Sequence, residues 1–149
     1  MNNREIASVL FNISVILRRQ GANPFRVRAY RRTALRILRM RHSIAERAAA
    51  GKPLGLPRLG ESLTAKIYAL ALTGRLPFYD QLCDTLPPDE ARLLTVPGIG
   101  PTIAERIARD LGPTDADSLR RAAAEGKLQK VWGVGPRRTA AILDALAAA

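Results

Sequence analysis

The sequence predicts an all-α protein built of short helices joined by glycine turns, and three observations predict it. Apolar residues recur at helical spacing over long stretches. A glycine-bearing pentapeptide appears three times, each time ahead of a helical stretch with isoleucine at the same offset. No segment alternates convincingly at period two, so no sheet is expected.

The first helix is read from Ile6, Val9, Leu10, Ile13, Ile16 and Leu17, an i, i+3, i+4, i+7 stripe ended by Gly21. Asn23-Pro24 supplies a cap and a first-turn proline for a second helix running to about Arg41. Its apolar side is expected to hold Val27, Tyr30, Ala34, Ile37 and Leu38, with Arg28, Arg32, Arg36 and Arg39 opposite. Ser43 and Glu46 form a capping box for a third, short helix stopped by Gly51. The repeated pentapeptides are Leu56-Pro57-Arg58-Leu59-Gly60, Val96-Pro97-Gly98-Ile99-Gly100 and Val131-Trp132-Gly133-Val134-Gly135, aligned without gaps to Ile67, Ile107 and Ile142. Gly74, Pro87-Pro88, Gly112-Pro113 and Gly126 punctuate the helices between them, and Asp115 or Asp117 is a further cap. Pro87-Pro88 is read as a boundary, giving a four- or five-helix unit with the first hairpin over 1–86 and a unit with the other two over 87–149.

Charge narrows the function. Among 149 residues, 24 Lys and Arg face 13 Asp and Glu, a net charge of +11, with a pI near 11.1. Residues 1–50 hold eleven Arg against Glu5 and Glu46, so +9 of that charge lies in the first third. Arginine runs are ordinarily solvated faces. An imbalance of this size is easier to explain if phosphates lie alongside. Cys83 is the single cysteine and cannot form an internal disulfide, and no apolar run approaches the roughly 18 residues of a membrane span. A cytoplasmic, nucleoid-associated location without membrane contact is therefore expected, and the start Met1-Asn2-Asn3-Arg4-Glu5 is read as structural and not as a targeting tag. His42, the single histidine, is expected in a surface turn, and no residues cluster with metal-ligand or Ser/His/Asp spacing.

An apolar-Pro-Gly-apolar-Gly turn at a helix start points backbone N–H groups outward at the positive end of the helix dipole, where a phosphate oxygen fits. Such contacts position a polyanion without reading its bases. A dinucleotide loop is excluded, because Ile103 and Arg138 stand where the third glycine is required and no strand precedes. The backbone-contacting residues expected from this reading are Arg26, Arg28, Arg32, Arg36, Arg39 and Arg58 with Gly60. In the second and third hairpins they are Gly98, Ile99, Gly100, Thr102 and Arg106, then Gly133, Gly135, Arg137 and Arg138.

The turns resemble helix-hairpin-helix motifs, with Val96-Pro97-Gly98-Ile99-Gly100-Pro101, Ala104 and Ile107 a close match. Asn23-Pro24-Phe25-Arg26-Val27-Arg28-Ala29-Tyr30-Arg31, Thr73-Gly74-Arg75-Leu76-Pro77 and the order of the hairpins resemble the N-terminal region of family X DNA polymerases. The resemblance covers about residues 3 to 146 and stops where a nucleotidyl-transfer domain would follow, so polymerisation by that mechanism is not expected. It implies a lyase-type helical unit followed by a tandem helix-hairpin-helix unit. The first binds gapped, 5′-phosphorylated DNA in repair and in some members removes a 5′-deoxyribose phosphate; the second grips duplex backbone. A sodium or potassium ion on carbonyls of the Val96–Gly100 hairpin is allowed by the same resemblance, and no other cofactor is expected.

Lyase chemistry requires a lysine whose neutral amine forms a Schiff base with the open abasic sugar. The resemblance places Lys66 there, with Tyr30 and Arg26 in the same pocket. The chain departs from the family at Ser62 and Phe78, where basic residues are usual, at Ala65, where an acid is, and at Arg58 and Glu61 in the first hairpin. Arg106 holds the place of Lys66 in the second repeat. Two functions therefore stand: a non-catalytic, sequence-independent DNA-binding module, and a stand-alone 5′-deoxyribose phosphate or abasic-site lyase. RNA remains a third ligand, since phosphate contacts do not distinguish the sugars. A separate polymerase or repair protein is the expected protein partner, and the oligomeric state is left open. Trp132, the only tryptophan, is expected to pack into the hairpin core in preference to stacking on a base, because one aromatic is no stacking platform.

Overall fold

A computed structural model describes residues 1–148 as all-helical, with nine α-helices, one short 3-10 turn and no strand among the described residues. The helices are α1 (Asn3–Arg19), α2 (Pro24–Arg39), α3 (Ile44–Ala49), α4 (Glu61–Thr73), α5 (Pro77–Asp84), α6 (Pro88–Leu93), α7 (Pro101–Leu111), α8 (Ala116–Ala124) and α9 (Pro136–Ala148), with the 3-10 turn at Leu128–Lys130. By its internal contacts the chain divides after Leu82, inside α5 and a few residues ahead of Pro87-Pro88.

In the first unit the amphipathic stripe of α1 becomes core: Ile6, Leu10, Ile13 and Ile16 are essentially inaccessible. Asn2 and Glu5 cap this helix reciprocally, each accepting from the other's backbone N–H at 2.8 Å. Its far end closes in a Schellman turn, with Gly21 at φ 73° and the Ala22 N–H donating to the Leu17 carbonyl at 3.0 Å. The chain can therefore reverse at once, and α2 packs antiparallel along α1. Asn3 ties the next element in by donating to the His42 carbonyl at 2.8 Å and accepting from the Ile44 N–H at 2.9 Å.

The buried face of α2 is Tyr30, Thr33, Ala34 and Ile37, which corrects the expectation for Leu38. Leu38 is 54% exposed. One residue turns a helix by about 100°, which carries Leu38 past the edge of the face that Ile37 centres. Thr33 takes the opposite edge and satisfies its hydroxyl by donating to the Ala29 carbonyl at 2.8 Å. His42, expected in a surface turn, is half-buried in a bend with its Nε2 3.2 Å from the Leu54 carbonyl.

The second unit has its own core, in which Leu93, Ala104, Ile107, Leu119, Leu128, Val131 and Ile142 meet. Buried Thr114 fastens the start of α6 to the loop before α8, its hydroxyl donating to the Asp89 carbonyl at 2.7 Å. Asp115 caps α8, and hydrogen bonds from the Ser118 hydroxyl and N–H hold its carboxyl below the ordinary carboxylate value. The isoleucines that follow the three pentapeptides at the same offset, Ile67, Ile107 and Ile142, are all fully buried. Replacing Ile67 or Ile107 by alanine is expected to cost about 2–5 kcal/mol through lost burial and a residual cavity. Leu38→Ala should cost roughly 0.5 kcal/mol or less, as for an exposed site. Chemical denaturation of the three variants reads the contrast.

Candidate nucleic-acid interface

All three pentapeptides fold into the same turn. The third residue is left-handed in each: Arg58 at φ 59°, Gly98 at 84° and Gly133 at 90°. Arg58 is the only non-glycine residue with positive φ among the described residues, so the first hairpin keeps the turn although it has lost its glycine. The fifth residue begins the helix: the carbonyls of Gly60, Gly100 and Gly135 accept from the N–H of Thr64, Ala104 and Thr139 at 3.0, 2.9 and 3.0 Å. Helices α1, α2, α3 and α8 are capped by the side chains of Asn2, Asn23, Ser43 and Asp115. At α4 and α7 the cap is glycine and no side chain accepts from the first turn. Those N–H groups stand where an anion is favoured.

The fourth residue of each later turn points inward. Ile99 is 3% exposed, and its N–H donates to the Val96 carbonyl at 3.1 Å. Of the residues expected to face phosphate in the second hairpin, its side chain belongs to the core, whereas Gly98 and Thr102 are exposed and Gly100 is half-buried.

The second and third hairpins exchange residues. Ile103, from α7, lies against Gly133 so closely that a Cβ there would meet its Cδ1 at 2.6 Å. The shift that maps Gly98 onto Gly133 maps Ile103 onto Arg138, which reaches the second turn through a hydrogen bond and leaves the space at the Gly98 Cβ position open. Its Nε donates to the Gly98 carbonyl at 3.0 Å and a terminal nitrogen to the Gly133 carbonyl at 2.8 Å. Arg106 crosses the other way: its guanidinium lies 4.3 Å from the Trp132 ring centroid and donates to the Trp132 carbonyl at 3.4 Å. Arg106 and Arg138 therefore hold the two turns together, while Arg137 is exposed. A sodium or potassium ion at the Val96–Gly100 turn would share its oxygens with N–H groups already bonded to Val96 and Gly98.

Trp132 departs from expectation. It is 76% exposed, and the core at this turn is filled by Val131 and Val134, each 3% exposed. The left-handed glycine that follows turns the chain so that the two valines point inward and the indole outward.

On α2, Arg26, Arg28, Arg32 and Arg39 are exposed, and none of the helix's arginines pairs with a carboxylate among the described residues. Arg36 is half-buried and donates to the Pro57 carbonyl at 3.1 Å, latching α2 to the first hairpin beside Arg58. Lys66, Arg26 and Tyr30 converge on Phe78, the position where a basic residue is usual. The Lys66 Nζ lies 4.8 Å and the Arg26 guanidinium 5.4 Å from its ring centroid, and Tyr30 stacks on it at 6.4 Å. Lys66 donates to the Ser62 hydroxyl at 2.6 Å. Among the described residues no group of His, Cys, Asp or Glu could hold a metal ion, and no helix is long and apolar enough to cross a membrane.

Repeated hairpins of this geometry, each seating a helix on glycine, define a helix-hairpin-helix protein. The chain belongs to the helix-hairpin-helix domain family, whose model matches residues 1–76, and residues 90–148 match a SAM-like helix-hairpin-helix tandem. It is 28% identical over 146 residues to the DNA polymerase/3′-5′ exonuclease PolX of Bacillus subtilis (strain 168), a match covering 98% of this chain and 25% of that protein. The chain thus spans about a quarter of the length of this relative. Together these similarities support DNA binding.

The turn geometry is open to a stability test. Gly98→Ala places its Cβ in open space at a left-handed residue, so its expected cost of about 1–2 kcal/mol is backbone strain alone. Arg58→Gly should stabilise by up to about 1 kcal/mol, the relieved strain exceeding the added chain entropy. Thermal or urea unfolding of both variants measures this.

Proposed function

We propose that the chain is a sequence-independent DNA-binding module that grips the phosphate backbone, acting in repair on gapped or 5′-phosphorylated DNA. One observation carries the reading: glycine-seated helix starts lie in a chain whose most basic helix, α2, has no arginine paired to a carboxylate among the described residues. Unpaired guanidiniums and unsatisfied N–H groups both stabilise phosphate and neither reads a base. Binding should weaken linearly in log-log salt plots. Arg28→Ala and Arg32→Ala should each reduce the slope by about one where they meet a phosphate. Competition among a 5′-phosphorylated gap, the same gap without phosphate, intact duplex and RNA tests the rest. The phosphorylated gap should bind tightest, and equal affinity for all four overturns the repair assignment.

A second reading, a 5′-deoxyribose phosphate or abasic-site lyase, is favoured by the convergence of Lys66, Arg26 and Tyr30 on Phe78. The Lys66 amine would condense with the sugar aldehyde and release water; loss of a C2′ proton then breaks the C3′–O bond and frees the DNA phosphate. Arg26, whose guanidinium lies 5.4 Å from the centroid of the same Phe78 ring, would hold that phosphate. Borohydride added to protein and abasic DNA should trap a covalent adduct that Lys66→Ala abolishes. A wild-type protein that forms none, or a variant that traps as well, rejects the lyase.

A further inference from the structure

The exposed indole of Trp132 is not needed to grip a sugar-phosphate chain, and its placement suggests another use. We propose that Trp132, backed by Arg106, is a stacking site for an unpaired nucleobase, by which the second unit recognises single-stranded character at a gap or strand end. This rests on the DNA-binding reading above and adds the structure that the third hairpin prefers.

The residue stands at the tip of the third turn, where the two other hairpins carry Pro57 and Pro97. It is the only tryptophan of the chain, and with 76% of its surface open it contributes little to the core. Exposing a large aromatic to water is unfavourable, and a ligand that covers it would recover that cost. The guanidinium of Arg106 orients the ring from one side and places a positive charge beside it. An indole with a cation over one face and most of its surface open matches a nucleotide, whose flat base can lie on the open face while its phosphate meets the charge.

Phe25 on α2 is also exposed, with Arg28 over its ring at 4.7 Å. That pair is one helical turn apart and meets by helix geometry alone. Arg106 reaches Trp132 from α7, across the exchange that joins the two hairpins, and the carbonyl contact at 3.4 Å fixes its approach. Blunt duplex keeps its bases paired and stacked, with open faces only on the terminal pairs, and offers the indole no unpaired base. A gap or an overhang offers one with little unstacking.

The emission of the full chain reports on Trp132 directly, because there is no other tryptophan. Titration with oligo(dT), with a duplex carrying a gap of several thymines and with a blunt duplex should quench it in the first two cases and leave it nearly unchanged in the third. Trp132→Ala should lose roughly fivefold to a hundredfold in affinity for oligo(dT) and the gap, the range that stacking one base supports. It should keep its affinity for blunt duplex, and Trp132→Phe should recover part of the loss. Quenching in the wild-type protein does not depend on how the variants fold. Unquenched emission on binding, an equal loss on blunt duplex, or no loss at all overturns the inference and leaves DNA binding standing. Failure of the wild-type protein to bind any of the three DNAs overturns the DNA-binding reading itself.

Discussion

The left-handed residue at the third position of each pentapeptide is the constraint on which the rest of this structure depends. It reverses the chain within a few residues, turns the flanking apolar residues inward, as core in the second and third turns and half-buried in the first, and starts the next helix on an uncapped glycine at α4 and α7. Core and candidate interface therefore share a cause. The torsion that buries Val96 and Ile99 also brings the exposed Gly98 to the surface beside the start of α7. Arg58 shows how firmly the surroundings impose this shape. An arginine takes the strained conformation in place of glycine, with Arg36 latched onto the preceding Pro57 carbonyl.

Local pattern was readable in the sequence where one element sufficed to define it. The stripe of α1, the caps Asn23 and Ser43, and the three equivalent isoleucines all follow from spacing and cap chemistry, and each stands where the pattern puts it. Edges of faces were less legible. Leu38 and Thr33 lie on opposite margins of one buried stripe, and side-chain hydropathy alone chose the wrong one. Trp132 was misread for a related reason: an aromatic residue among apolar neighbours looks like core until the torsion of the next glycine is known.

What sequence could not disclose is where long charged side chains spend their donors. Arg36, Arg106 and Arg138 each read as a positive charge bound for phosphate, yet each donates to a backbone carbonyl of a hairpin. That outcome depends on the approach of segments distant in the chain. Phe78 was opaque in the same way. As a single position it is a lost lysine; in three dimensions it is the surface on which Lys66, Arg26 and Tyr30 assemble.

The reciprocal seating of Ile103 on Gly133 and of Arg138 on Gly98 has an outcome for how the second unit can be dissected. Each loop borrows part of its scaffold from the helix that follows its twin, so neither repeat is a self-sufficient fragment. A cut between α7 and the 3-10 turn would leave two halves that each lack a wall. The smallest excisable piece that preserves either bend contains both, and the pair should melt as one cooperative body.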